Sequence, residues 1–175
     1  RRCAPSRRCP CAAGTGSFID VQALRMFESR IKKENITDPT EMIERALSLF
    51  IEAGTSSTDP VSIATRCTVF AKTDIIHWGN AGKPQRDIIA GIVKGLVNTF
   101  MSDLVGDAEV TDGSSIILGG GCFNPMLVSF FREHFSSLIV PNFADSRQAF
   151  GAALLSKRKA IRNSISLDQL DRISI

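Results

Sequence analysis

Apolar positions recur at helical spacing over most of the chain. Phe18, Val21, Leu24, Phe27 and Ile31 follow one another at steps of three and four residues and predict one helix with a single apolar stripe. A second helix is expected from Thr40, with Ile43, Leu47 and Phe50 facing inward and Gly54 as its stop. Residues 54–60, GTSSTDP, form a polar, turn-rich loop. Residues 61–70 are β-branched and uncharged except for Arg66, and they include Cys67. A helix carrying Ile75 and Ile76 follows and ends in GNAGKP, residues 79–84. The longest helix is expected over residues 85–105, with Ile88, Ile92, Leu96, Phe100 and Leu104 as its stripe.

The pattern then changes. Residues 115–118 read as a strand that runs straight into Gly119, Gly120 and Gly121. Asn124 followed by Pro125 is an N-cap and first-turn pair that opens a further helix. Residues 138–140 are a short strand ending at Pro141, and residues 146–160 a last core helix. The first ten residues, RRCAPSRRCP, show no periodicity and read as a basic lead-in, while residues 157–175 read as a basic tail. Strand, glycines, helix, strand and helix in this order imply an α/β fold, with residues 11–156 as the folded unit.

Composition narrows the class. With 175 residues, 43% hydrophobic and 22% charged, the chain suits one soluble domain with a real core, which argues against disorder and against a disulfide-stapled miniprotein. Twenty-one basic residues against 18 acidic give +3, but Arg1, Arg2, Arg7 and Arg8 sit in the first ten positions. Without those four the rest of the chain stands at −1. A nucleic-acid binder spreads basic charge over its folded body, so no nucleic-acid partner is expected. The longest uncharged run, residues 113–131, contains four glycines, an asparagine and a proline, so it is not the roughly 20-residue apolar stretch of a membrane helix. No apolar signal-peptide core follows the arginines. A cytoplasmic chain with five reduced cysteines and no membrane partner is the expectation.

Two glycine turns could meet a phosphorylated ligand. Gly119, Gly120 and Gly121 let the backbone approach closely, and the helix beyond them offers free N–H groups to an anion. Gly14, Thr15 and Gly16 within CAAGTG (11–16) offer amides and a hydroxyl before another helix. Either turn could equally be a ligand-free helix opening, and neither is a Walker A loop, because no Lys–Ser/Thr follows the glycines. Asp20 is the nearest acid, and helix N-terminal charge complementarity is its blander role.

Cys11 precedes a helix-opening loop and Cys67 lies beside Arg66, both electropositive settings that favour a thiolate able to ligate zinc or an iron–sulfur cluster. Two cysteines per chain supply four ligands only if two chains meet on a symmetry axis. Buried, inert thiols are the alternative for Cys67 and Cys122. Cys3, Cys9 and Cys11 match no regular zinc-finger spacing. His77 and His134 each stand alone on a helix, in packing or surface roles, so no Ser–His–Asp or Cys–His arrangement is expected. Trp78 is an interface or core anchor.

Four segments fall together in order: CAAGTGSFIDVQA (11–23), IATRCTVFAKTDIIH (63–77), RDIIAGI (86–92) and IILGGGCFNP (116–125), closed by QAFGAALL (148–155). They resemble the activator ATPases of 2-hydroxyacyl-CoA dehydratases and the related benzoyl-CoA reductase ATPase subunits, more in the manner of the large activases than the compact ones. The resemblance covers roughly residues 11–156. It implies the actin/hexokinase/Hsp70-like (ribonuclease H-like) nucleotide-binding fold, here its C-terminal lobe. The first phosphate loop of that family, an Asp–Xaa–Gly–Ser/Thr turn, has no counterpart in the chain, so hydrolysis by this chain alone is not expected.

The family's two cluster cysteines fall on Cys11 and Cys67, which implies a homodimer holding one [4Fe–4S] cluster between its subunits. Gly14, Thr15 and Gly16 fall on the second phosphate loop. Gly119, Gly120, Gly121 and nearby Asn124 fall on the adenosine loop, and residues 148–155 on the second connecting helix. The implied activity is ATP-driven electron transfer, with Mg²⁺, from a ferredoxin or flavodoxin donor to an acyl-CoA dehydratase or reductase. The alternatives are a sugar-kinase-like phosphotransferase and a non-catalytic regulatory lobe of the same fold.

Overall fold

Asp38 and Pro39 open the second helix as their chemistry dictates. The Asp38 carboxylate accepts a hydrogen bond from the Glu41 amide at 2.9 Å, and Pro39 takes a first-turn position whose N–H would have no helical partner. The computed structural model containing this helix describes residues 15–105, 115–117, 120–140 and 146–159.

In chain order the elements are α1 (Thr15–Lys33), α2 (Pro39–Thr55), α3 (Thr68–Asn80) and α4 (Gln85–Phe100), which widens into a π-helical turn at Met101–Val105. Then come β1 (Ser115–Ile117), a 3₁₀ turn at Gly120–Phe123, α5 (Pro125–Arg132), β2 (Ser137–Ile139) and α6 (Arg147–Lys159). β1 and β2 pair in parallel, Ile116 opposite Leu138, so α5 lies on the crossover between them. Among the described residues these two strands are the whole sheet. The α/β expectation therefore holds in a strongly helical form.

α4 is the centre of the core. It buries eleven of its 16 residues, with Ile89, Ile92, Val93 and Val97 essentially sealed from water. α2 lies against it through Leu49, Phe50 and Gly54, and α1 packs on α2. Phe100 of α4 meets Phe131 of α5 edge to face at 5.1 Å. Arg45 on α2 grips Glu34, just beyond α1, through two bonds of 2.7 and 2.9 Å, which holds the Glu34 carboxyl below its ordinary pKa.

Three sequence expectations are corrected. The buried row of α1 is Ile19, Ala23, Phe27 and Ile31, at steps of four, and Val21 is 48% exposed. The three-and-four spacing of apolar residues fits two overlapping faces, and packing against α2 selects the i, i+4 ridge. Gly54 does not stop α2, which continues to Thr55; a Cβ there would strike the Met126 sulfur and lie 2.6 Å from Ile89 Cγ2. It is a contact point between three helices. The expected 85–105 helix is α-helical to Phe100 only and π-helical beyond. α6, Arg147–Lys159, matches the helix expected over residues 146–160. Among the described residues no helix is long and apolar enough to cross a membrane.

Candidate functional site: a two-glycine cleft and an exposed thiol turn

The start of α1 and the turn before α5 are more than 100 residues apart in sequence, yet they form the two sides of one cleft. Its walls are Ile19, Leu47, Ile51, Phe123 and Leu127, and its polar groups come from Gly16, Asp20, Gly121 and Asn124. The cavity is about 250 Å³, somewhat below the roughly 300–1,000 Å³ of sites that enclose a whole drug-sized ligand.

Gly16 and Gly121 come together on this cleft, with Asn124 beside them. Of Thr15 and Gly120 only the backbone is described, and Gly14, Gly119 and Cys11 lie outside the described residues, as do Cys3 and Cys9. Neither cleft glycine is demanded by the packing described. A Cβ at Gly16 would have no atom within 4 Å, and one at Gly121 would reach Leu127 only at 3.6 Å, an ordinary contact. Their missing side chains keep space open.

Asn124 is fixed by its own helix. Its Oδ1 accepts from the amides of Met126 at 3.0 Å and Leu127 at 3.3 Å, which caps α5. That leaves the Nδ2 amide as the part of the side chain suited to a ligand. Asp20 stands in the second turn of α1 rather than the first, beyond close reach of the helix end, so charge complementarity is not its role; it lines the cleft. Sequence reasoning missed Phe123. It is 70% exposed on the cleft wall, and its position two residues after the last glycine was the available signal.

Cys67 occupies a different place. It is the N-cap residue of α3, in extended conformation, half-buried and free. The backbone amides of Phe70 and then Val69 hold its thiol below the ordinary cysteine value, against the opposing effect of burial. Arg66 turns away to α4's end, donating to Ser102 Oγ at 2.8 Å and approaching Asp103 at 3.5 Å. Its guanidinium anchors the turn rather than serving the thiol. A half-buried thiol at a helix N-terminus fits a thiolate ligand of a cluster. Among the described residues no three His, Cys, Asp or Glu side chains converge on a metal position. Cys122 sits half-buried in the 3₁₀ turn. His77 and His134 are exposed, and His77 lies edge to face on Trp78 at 5.1 Å.

α3 is thinly covered. Ala71 is its one buried residue, while Val69 and Phe70 are 69% and 65% exposed beside the thiol, and Ile76, further along the helix, is 54% exposed.

Comparison with known proteins places this architecture in a class. No protein-family profile matches the chain. It is 30% identical over 155 residues to the (R)-2-hydroxyglutaryl-CoA dehydratase activating ATPase of Acidaminococcus fermentans, covering 87% of this chain and 52% of that protein. It is 32% identical over 145 residues to the 2-hydroxyisocaproyl-CoA dehydratase activator of Clostridioides difficile, 82% of this chain and 47% of that one. A solved structure of the Clostridium difficile activator of 2-hydroxyisocaproyl-CoA dehydratase, with bound ADPNP, superposes with a TM-score of 0.57 at 28% identity, over 89% of this chain and 53% of that chain.

The solved activator ATPases on which the chain superposes have the actin/hexokinase-like fold. Over most of its own length this chain is a homologue of the activator ATPases of 2-hydroxyacyl-CoA dehydratases, and it spans about half the length of the curated relatives it matches.

Proposed function

We propose that the chain is the cluster- and nucleotide-binding lobe of an ATP-dependent activator that passes a low-potential electron to a 2-hydroxyacyl-CoA dehydratase or a related acyl-CoA reductase. The observation that supports this reading is the meeting of Gly16, Gly121 and Asn124 in one cleft, on a chain whose relatives are named as activators of 2-hydroxyacyl-CoA dehydratases. In it, the backbone at Gly16 and Gly121 approaches the phosphates and ribose of ATP. Phe123 offers an exposed ring on which a purine can stack, and Asn124 Nδ2 donates to the nucleotide. Asp20 is the carboxylate suited to a magnesium ion carried by the phosphates.

Cys67, with Cys11, would hold the [4Fe–4S] cluster, which when bound supplies one-electron chemistry at a potential set by charge, hydrogen bonding and solvent access. The amides at the start of α3 stabilise the thiolate that such ligation needs. The exposed Val69 and Phe70 beside it, with Ile76 further along α3, suit an interface with a second copy, which would contribute the other two cysteines and exclude water from the site. A ferredoxin or flavodoxin would load the cluster. A phosphotransferase reading leaves the stabilised thiol of Cys67 without work.

Anaerobic reconstitution, followed by iron and sulfide analysis and the mass of the species in solution, tests this. The expected result is about two irons per chain in a dimer, lost in Cys67→Ser with the helical circular dichroism intact and kept in Cys122→Ser. Full iron retention in Cys67→Ser overturns the assignment.

A further inference from the structure

The segment that delivers Cys67 is not a loop left to itself. Along residues 61–65 burial alternates strictly: Val61, Ile63 and Thr65 are buried, while Ser62 and Ala64 are exposed. That is the signature of an extended segment, yet among the described residues no strand pairs with it. Helices take the place of strands on both of its edges.

On one edge lies α4. Gly91 and Gly95 stand one helical turn apart, and the strand's carbonyls rest directly on them. A Cβ on Gly91 would strike the Val61 carbonyl oxygen. One on Gly95 would lie 2.6 Å from the Ile63 carbonyl oxygen and 2.7 Å from Thr65 Cγ2. Only a helix without side chains at these two positions admits the strand at this depth. On the other edge lies α3. Its Asp74 accepts from the Ala64 amide at 2.8 Å, and its Trp78 Nε1 donates to the Ser62 carbonyl at 2.8 Å. Both ends are tied as well: the Val61 amide donates to the Asp87 carbonyl at 3.2 Å, and the Thr65 and Thr99 hydroxyls meet, buried, at 2.8 Å. Two residues after the last of these ties comes Cys67.

We propose that Gly91 and Gly95 of α4, with Asp74 and Trp78 of α3, are positioning residues for Cys67: they form a two-sided seat for residues 61–65 and thereby fix where the thiol stands at the start of α3. This deepens the reading of Cys67 as a cluster ligand and rests on it. A ligand shared between two subunits must be held in place before the second subunit arrives, and a five-residue segment without a strand partner would otherwise sample many positions. Asp74 and Trp78 lie within the helix that Cys67 caps, so the seat ties the thiol's own helix to α4 through the strand between them.

The test is a set of variants in the full chain, measured two ways. Hydrogen exchange of the 61–67 amides in metal-free protein reads the seat itself. The electron paramagnetic resonance spectrum of the reconstituted, reduced protein reads the consequence for the ligand. Asp74→Ala, at a partly exposed helical position, removes the acceptor without endangering the fold. It is expected to speed Ala64 exchange roughly five- to tenfold, the effect of losing one hydrogen bond, with α2 amides unchanged and the cluster spectrum shifted. Asp74→Asn retains a carbonyl acceptor and is expected to restore both readouts. Gly95→Ala should produce the larger change in each.

Wild-type exchange over 61–67 in folded Asp74→Ala and Gly95→Ala overturns the seat. Faster exchange with an unchanged spectrum overturns its role in positioning the ligand. If wild-type protein takes up no iron, the cluster reading fails, and the exchange arm still decides whether the seat exists.

Discussion

Two groups of glycines in this chain do opposite work. Gly54, Gly91 and Gly95 lie in the packed interior around α4, where a single added carbon would overlap a neighbour well inside van der Waals contact. Gly16 and Gly121 line the cleft, where the same carbon would meet nothing or an ordinary contact. The first group is explained by the protein's own packing. The second is not, and that contrast separates a structural glycine from one that keeps room for a ligand. The two groups should therefore respond to the same substitution in opposite ways.

The largest effect is expected at Gly91→Ala. The obstacle is the Val61 carbonyl, which is backbone and cannot rotate aside. Overpacking of this kind costs about 1–3 kcal/mol, and chemical denaturation should place the loss in that range. Gly54→Ala ought to cost less, because its obstacles are the side chains of Met126 and Ile89, and the flexible thioether of Met126 can give way. Equal losses at the two positions would mean that the backbone seat is softer than the geometry says.

An intermediate effect belongs to Asp87, the buried carboxylate in the first turn of α4. Ser57 Oγ donates to it at 2.7 Å, tying the 56–60 loop to the packed interior. That hydroxyl bond, followed by the Asp59 amide and the charges of Arg86 and Lys83, outweighs burial and holds the Asp87 carboxyl below its ordinary 3.8. A carboxylate depressed in the folded state stabilises the protein above its unfolded pKa, and this contribution disappears as pH falls through the folded pKa. Asp87→Asn should accordingly lower Tm at pH 7, and the gap to wild type should close below pH 3.8. A gap independent of pH would show that the side chain's shape, not its charge, matters there.

How much of this was legible beforehand follows the same division. The Asn124–Pro125 helix start, the strands around the glycine turns and the long run of α4 were readable because each depends on neighbours in sequence. The order of the quoted segments was enough to identify the relatives, although no family profile matches. The buried row of α1 was misread because only α2 decides which of two overlapping faces turns inward. Gly54, Gly91 and Gly95 carried no local signal: inside a helix, a glycine shows up in sequence only as weak propensity. The cleft joins three separated stretches, so the nearness of Phe123 to the glycines was not by itself enough to place it on the wall. Nor could the exposure of α3 be foreseen, because apolar residues lie on both its faces and only the partner helices show which one is covered.

The smallest stability change is the sharpest test of the contrast. Gly16 is the second residue of α1, and a Cβ there touches none of the described residues. Alanine is the better helix former by roughly 0.8–1 kcal/mol in a helix interior, and less at a first-turn position. Gly16→Ala should therefore leave the fold unchanged or slightly more stable. The same methyl group would project from a wall of the cleft where a nucleotide is proposed to bring its phosphates against the backbone. ADPNP affinity, measured by calorimetry on the same preparation, should fall while Tm holds or rises. A glycine kept for packing predicts the reverse: stability lost and binding unaltered. Loss of both would mean that the start of α1 is held by contacts beyond those described, and the contrast between the two groups would fail at this position.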